Sequence, residues 1–229
     1  MLKLFYSNIC PFSRLARVLF AELSEKIELL PECLWNPSKE YLFINASGVL
    51  PSLYIYDNEV ICNIIPIIEF IVDHWEESGA RLIFGHRQYS DLLQKARIRY
   101  TLEWAVHKFY NDVTKYIINE RIIKVINTNS EPNSQAIRIA KKNLVPHLEY
   151  FSYLLSQSVY LCGDELTVAD FALASQISCL DLVNDIIWEK YDALKSWYSL
   201  LKSRGSLQTI LQEQIPQLKP HKNYANPDF

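Results

Sequence analysis

The sequence has few glycines, little net charge and no long apolar run, and each shortage excludes a class of protein. Only 5 of its 229 residues are glycine, 21% are charged and 49% are apolar, a composition typical of a folded globular chain. The formal net charge is −3 without a basic run, so nucleic acid is not an expected partner. The most apolar stretch, VICNIIPIIEFIV, contains Asn63, Pro66 and Glu69, and no run reaches the roughly 18–20 residues of a membrane span.

The five cysteines are odd in number and widely spaced. Such spacing predicts free thiols in a reducing compartment rather than a disulfide framework. No CxxC or Cys/His cluster indicates a zinc site, so no metal is expected. The first residues, MLKLFYSN, lack the apolar core of a signal peptide, and we expect a cytoplasmic protein.

Two kinds of pattern divide the chain. The first part alternates strand and helix patterns in the order β-α-β-α-β-β-α, with a hairpin turn at Asp57-Asn58, and predicts an α/β layer with a mixed sheet. The rest is almost wholly helical, which predicts α/β followed by all-α. The expected divisions are a first domain at 1–77, a linker at 78–89, a helical domain at 90–213 and an extended surface tail at 214–229.

Several local patterns predict where helices begin or bend. Asn36 and Pro37 favour the start of a short helix, and Asn63 is placed to cap the next one. The first long helical stretch is either continuous or divided near Asn111, and Pro146 should bend or break a later helix. Thr167-Val-Ala-Asp170 resembles a capping box, which gives Asp170 a structural role.

Four motifs, taken in order, resemble the glutathione S-transferase superfamily. They are CPFSR at the first strand–helix junction, Val49-Leu50-Pro51, VICNIIPIIEF and LCGDELTVADF. The segments LLPECLW and HKNYANPDF are similar to a bacterial subgroup of that family. The resemblance implies a thioredoxin-like glutathione-binding domain, a helical bundle, glutathione as cosubstrate and a homodimer.

Cys10 is the first candidate catalytic residue. A cysteine at a helix N-terminus can have its pKa lowered from about 8.5 to roughly 3.5–7.5, because unpaired amides and the helix dipole stabilise the thiolate. CPFSR resembles the motif of omega-class transferases and glutaredoxins, which implies a mixed disulfide between Cys10 and glutathione. Ser13 stands where a second cysteine would resolve that disulfide, so a one-cysteine cycle is implied. The alternative is that Cys10 is a small buried residue.

Hydroxyl groups near the same junction are rivals of Cys10. Other classes of the family use a serine or tyrosine to donate a hydrogen bond to the glutathione thiolate, which makes Ser7 a second catalytic candidate and Tyr6 a weaker one. Ser13 and Phe12 belong to the implied cofactor-binding set, although Ser13 could equally satisfy the helix start.

Two further motifs complete the implied glutathione site. A cis bond before Pro51 would turn the backbone of Leu50 towards an extended ligand. Family members commonly have an acidic residue and a serine where this chain has Asn63 and Ile64. Loss of the serine hydroxyl should weaken binding of the γ-glutamyl carboxylate by about ten- to a hundredfold.

The resemblance also implies a second-substrate pocket between the domains. Tyr100, Trp104, His107 and Tyr110 are the candidate lining residues, and a helical core is the alternative. Arg14 and Arg17 could reach ligand carboxylates, although Arg14 could equally form an interdomain pair.

Two functions follow from these patterns. The first is an enzyme that transfers or conjugates glutathione to a small hydrophobic or thiol-reactive substrate. The second is a non-catalytic binding protein of the same fold, similar in kind to stringent starvation protein A. CPFSR favours the enzyme, and the Asn63-Ile64 pair favours the binding protein.

Overall fold

The computed structural model describes residues 2–56, 59–85, 91–128, 130–215 and 218–228. Its first part contains a four-stranded sheet in the order β2-β1-β3-β4, formed by β1 (Lys3–Tyr6), β2 (Glu28–Pro31), β3 (Ser52–Tyr54) and β4 (Val60–Cys62). β1 pairs with β2 in parallel and with β3 in antiparallel orientation, and β3 pairs antiparallel with β4. The mixed sheet is confirmed, whereas the turn predicted at Asp57-Asn58 lies outside the described residues.

Three helices pack around this sheet, namely α1 (Pro11–Glu22), α2 (Lys39–Ile44) and α3 (Ile64–His74). The predicted start of α2 at Asn36 and Pro37 is wrong, because Ser38 is the cap and its Oγ accepts the Tyr41 N–H at 3.1 Å. Asn63 caps α3 as predicted, with its Oδ1 accepting the Ile64 N–H at 2.6 Å.

The segment predicted to link the domains begins with a helix, α4 (Glu76–Phe84). The helical part then contains the following α-helices: α5 (Leu92–Glu103), α6 (Lys115–Ile118), α7 (Lys124–Thr128), α8 (Ser134–Gln157), α9 (Val168–Leu182), α10 (Asp192–Lys202) and α11 (Gly205–Leu211). A thioredoxin-like sheet domain followed by a helical domain is therefore confirmed.

Two positions at which the sequence allowed an interruption lie inside helical stretches. The chain stays helical through Asn111, because wider π-helical turns at Trp104–Thr114 and Asn119–Ile123 connect α5, α6 and α7. Pro146 lies inside α8 without ending it. The capping box is confirmed: Asp170 is fully buried and accepts the Thr167 N–H at 3.1 Å and the Leu161 N–H at 2.9 Å.

The C-terminal segment was predicted to extend over the surface, and the structure differs. Tyr224 is only 2% exposed and packs into the main core, so this part of the tail folds back into the molecule. Within the described ranges, no helix is both long and apolar enough to cross a membrane.

Candidate functional site

The junction between β1 and α1 forms the centre of the candidate site. Cys10 is the residue that precedes α1, and its backbone N–H donates to the Ser7 carbonyl at 3.1 Å. The Ser7 N–H donates to Ser13 Oγ at 3.2 Å. Pro11 follows at the first helical position, where its missing N–H leaves no donor unpaired. The junction is therefore fixed by its own hydrogen bonds.

The Cys10 thiol is buried rather than exposed. Its residue is 2% exposed and forms a small apolar cluster with Tyr41 and Leu50, against which Phe12 and Leu34 pack. Burial raises the pKa of this thiol and outweighs the opposing hydrogen bonds from Ser13 and Phe12. The predicted exposed thiolate with a lowered pKa is therefore wrong, and the arrangement agrees with the alternative of a small buried residue.

The two serines at the junction have different surroundings. Ser13 is fully buried and its hydroxyl is occupied by the Ser7 N–H, which is the local helix-start role. Ser7 is half-buried and lies at the wall of a cleft described below. The Ser13 hydroxyl oxygen thus already accepts a hydrogen bond, whereas the role of Ser7 as a hydrogen-bond donor to a ligand thiolate stays a prediction.

The backbone edge expected to hold an extended ligand is covered. The Leu50–Pro51 bond is cis, as predicted. Leu50 is nevertheless only 2% exposed, and its carbonyl accepts the Cys10 S–H at 3.8 Å. In a glutathione site, the thiol and this backbone carbonyl would both face the ligand. Here the Cys10 thiol and the Leu50 carbonyl face each other.

The start of α3 does not offer the expected anion-binding groups either. Ile64 is fully buried and carries no hydroxyl, and its N–H is already bonded to Asn63 Oδ1 at 2.6 Å. Asn63 supplies no charge to meet a ligand ammonium. With Leu50 covered as well, the residues present do not fit glutathione in the way that the family resemblance implies.

The four predicted pocket residues separate into two places. Tyr100, Trp104 and His107 line an outer groove of about 380 Å³ whose lining includes neither Cys10 nor Phe12. Trp104 is fixed there because its ring stacks on Tyr150 with centroids 4.4 Å apart.

Tyr110 lies instead beside the thiol cluster. Its ring packs against Phe12 with centroids 4.6 Å apart, and burial raises its pKa to about 12. A single second-substrate pocket made of all four residues is therefore wrong, since only Tyr110 reaches the β1–α1 junction.

An open apolar cleft lies on the other side of the junction. Its volume is about 340 Å³, and it is bordered by the β1–α1 loop, the segment after β2, the end of α7 and the tail. Its lining residues are Tyr6, Ser7, Asn8, Ile9, Pro31, Glu32, Cys33, Leu34, Trp35, Ile126 and Ile215. We call this the junction cleft.

Comparison with known proteins supports the relationship inferred from the motifs. The family model "Glutathione S-transferase, C-terminal domain" matches residues 106–214. FtsZ-localized protein A of Caulobacter vibrioides is 31% identical over 222 residues, which cover 96% of this chain and 94% of that protein. The chain belongs to the glutathione S-transferase superfamily.

Two solved structures of this superfamily are similar over the whole chain. A glutathione S-transferase from Rhodospirillum rubrum F11 is 31% identical with a TM-score of 0.92, and each chain is covered completely. A glutathione S-transferase from Sinorhizobium meliloti 1021 is 30% identical, also with a TM-score of 0.92 and complete coverage.

The sequence patterns did not predict the residues that build the junction cleft from a distance. Ile126 and Ile215 come from the helical part and the tail, and only the fold brings them to Ser7 and Asn8. Trp35 ends the segment LLPECLW, which is similar to a bacterial subgroup of the family, but that resemblance assigned it no role.

Proposed function

We propose that this protein is a non-catalytic binding protein of the glutathione S-transferase fold that localises with FtsZ. The observation that carries the proposal is the closed pairing of the Cys10 thiol with the Leu50 carbonyl. The resemblance to FtsZ-localized protein A over nearly the whole of both chains supports FtsZ as the partner. The same family membership supports a cytoplasmic homodimer as part of this proposal.

The closed thiol side argues against transferase chemistry. A nucleophilic cysteine acts as its thiolate, and burial of Cys10 disfavours that form more than the charge of nearby Arg14 favours it. The Cys10 thiol is buried beneath Phe12 and Leu34, and burial raises its pKa. An incoming sulfur would have to displace these side chains before it could reach the thiol.

The junction cleft supports protein binding. Apolar side chains from three separate parts of the chain, Trp35, Ile126 and Ile215, border it. Apolar clefts rimmed by polar residues are typical of interaction sites, and aromatic residues in them commonly contribute most of the binding energy. The polar rim here includes Asn8 and Glu32.

A substitution on α7 tests this surface. Ile126→Asp places a charge in the cleft, and we expect it to weaken the affinity for purified FtsZ by about thirtyfold or more. Val125→Asp is the matched control, because Val125 is the adjacent exposed residue of α7 and is not part of the cleft lining. Titration of the full-length chain by biolayer interferometry measures both affinities.

Cys10→Ser serves as the chemical control. It should leave the FtsZ affinity unchanged, because the thiol is enclosed by its own cluster. Absence of FtsZ binding by the unmodified chain, or equal losses from Ile126→Asp and Val125→Asp, would contradict the proposal.

A glutathione-dependent transferase is the second candidate function. It is favoured by the full-length similarity to the Rhodospirillum rubrum and Sinorhizobium meliloti glutathione S-transferases. Retention on immobilised glutathione, with thiol transfer that is lost in Cys10→Ser, would support this candidate and reject the non-catalytic one.

A further inference from the structure

Arg14 links the C-terminal tail to the wall of the junction cleft. It is 1% exposed, and its Nε donates to the Asn8 carbonyl at 2.7 Å. Its Nη1 donates to Ser178 Oγ at 2.7 Å and to the Tyr224 hydroxyl at 2.6 Å. A single buried side chain therefore connects the β1–α1 loop, α9 and the tail.

Arg17 makes a parallel connection one helical turn later. Its guanidinium forms a two-point ion pair with Glu213, near the start of the tail. The same guanidinium lies over the Tyr6 ring, 4.5 Å from its centroid. Tyr6 and Asn8 both line the junction cleft, so Arg14 joins a cleft residue to Tyr224 in the tail, and Arg17 joins another to Glu213 just before the tail.

Tyr224 is held in place from both sides. Lys202 Nζ donates to the Asn223 carbonyl at 3.0 Å, and Gln208 Nε2 donates to the Ala225 carbonyl at 3.0 Å. The hydroxyl of Tyr224 is therefore presented to Arg14 by a fixed backbone. Arginine remains protonated in proteins, so a buried guanidinium that loses an acceptor keeps its charge and must find another partner.

We propose that Glu213 and Tyr224 are positioning residues that fix the cleft wall through Arg17 and Arg14. Loss of either contact lets the paired arginine shift, which weakens the hold on Asn8 or Tyr6. The C-terminal tail thereby controls the affinity of the junction cleft for FtsZ, the proposed partner. The effect of the tail on FtsZ affinity rests on the proposed function. The contacts by which Arg14 and Arg17 hold Asn8 and Tyr6 do not depend on it.

Hydrogen exchange of the full-length chain tests the hold directly. Tyr224→Phe removes only the hydroxyl, and Glu213→Gln removes the charge while keeping the shape. We expect the amides of residues 6–10 to exchange about tenfold faster in each variant, the effect of losing one hydrogen bond to a charged group. Tyr153→Phe and Glu131→Gln are matched controls at exposed positions and should leave these amides unchanged.

The distribution of the change separates positioning from general stability. Faster exchange confined to residues 6–10, with recovery in Glu213→Asp, supports the proposal. Unchanged exchange at this loop, or an equal rise throughout α1 and α9, overturns it.

The same variants are then titrated with purified FtsZ. A weakened affinity in Tyr224→Phe and Glu213→Gln, but not in the two controls, extends the positioning role to the partner. Faster loop exchange in a chain that does not bind FtsZ would reject the proposed function and leave the positioning role standing. Faster loop exchange with wild-type FtsZ affinity would reject the claim that the tail sets the affinity.

Discussion

The two sides of the β1–α1 junction differ in what they leave accessible. On one side, Cys10, Tyr41 and Leu50 form a closed cluster in which the thiol donates to the Leu50 carbonyl. On the other side, the same loop forms a wall of the open junction cleft of about 340 Å³. One short loop therefore has a closed face at the thiol and an open face at the cleft.

In this chain, the features that shape the backbone differ from the groups expected to contact glutathione. The cis Leu50–Pro51 bond and the Asp170 capping box, which shape the backbone, are both present. The groups that would contact glutathione are changed or covered, as at Ile64 and Leu50. Fold membership consequently does not determine the chemistry of this chain.

The largest expected effect concerns the open face. Trp35→Ala should weaken the affinity for purified FtsZ by about thirtyfold or more, because it removes the tryptophan, the largest side chain of the cleft lining. Phe43→Ala is the control, since Phe43 is 92% exposed on α2 and lies outside the cleft lining. A greater loss in Phe43→Ala, measured by the same titration, would move the binding face to α2.

A smaller effect is expected when the closed face is opened. Leu34→Ala removes the side chain that lines the junction cleft and also packs against the Cys10 cluster, and the alkylation rate of Cys10 by iodoacetamide should rise about tenfold. Leu42→Ala is the control on neighbouring α2, where Leu42 is exposed. Mass spectrometry of the Cys10 peptide measures both rates, and equal rates would show that Leu34 does not protect the thiol.

The smallest effect is expected at the start of α3. Asn63→Asp supplies the acidic residue common in the family, and aspartate caps helices about as well as asparagine, so the free energy of unfolding should change by less than about 1 kcal/mol. Retention on immobilised glutathione should remain as in the unmodified chain, because Leu50 is still covered. Strong retention gained by this single change would show that charge at this position, rather than access to Leu50, controls glutathione binding.

Local sequence patterns predicted those parts of the fold that depend on neighbouring residues. Asn63 as a cap for α3 and Asp170 in a capping box act within one helical turn, so their patterns were sufficient. The start of α2 was misplaced because Ser38 competes with Asn36 and Pro37 for the same role. Pro146 did not break α8, since packing of the helix overrides a local preference.

The properties of the site depended on residues far apart in the chain. The burial of Cys10 results from Leu34, Tyr41 and Leu50, which lie in other elements. The helical spacing that joined Tyr110 to Trp104 could not show that the two rings have different neighbours, Phe12 and Tyr150. The tail was predicted at the surface from its own local sequence. The burial of Tyr224 depends on Arg14, which lies 210 residues earlier in the chain, so local sequence could not predict it.

The accessibility of the first cysteine is the property on which the account chiefly depends. Site-resolved alkylation of the native chain, from about pH 6 to pH 9, compares Cys10 with the half-buried Cys33 of the junction cleft. A raised pKa lowers the thiolate fraction at every pH below it, and burial limits access further, so Cys10 should be the less modified residue throughout. Preferential modification of Cys10 at the acidic end of this range would contradict the closed face and restore a transferase nucleophile.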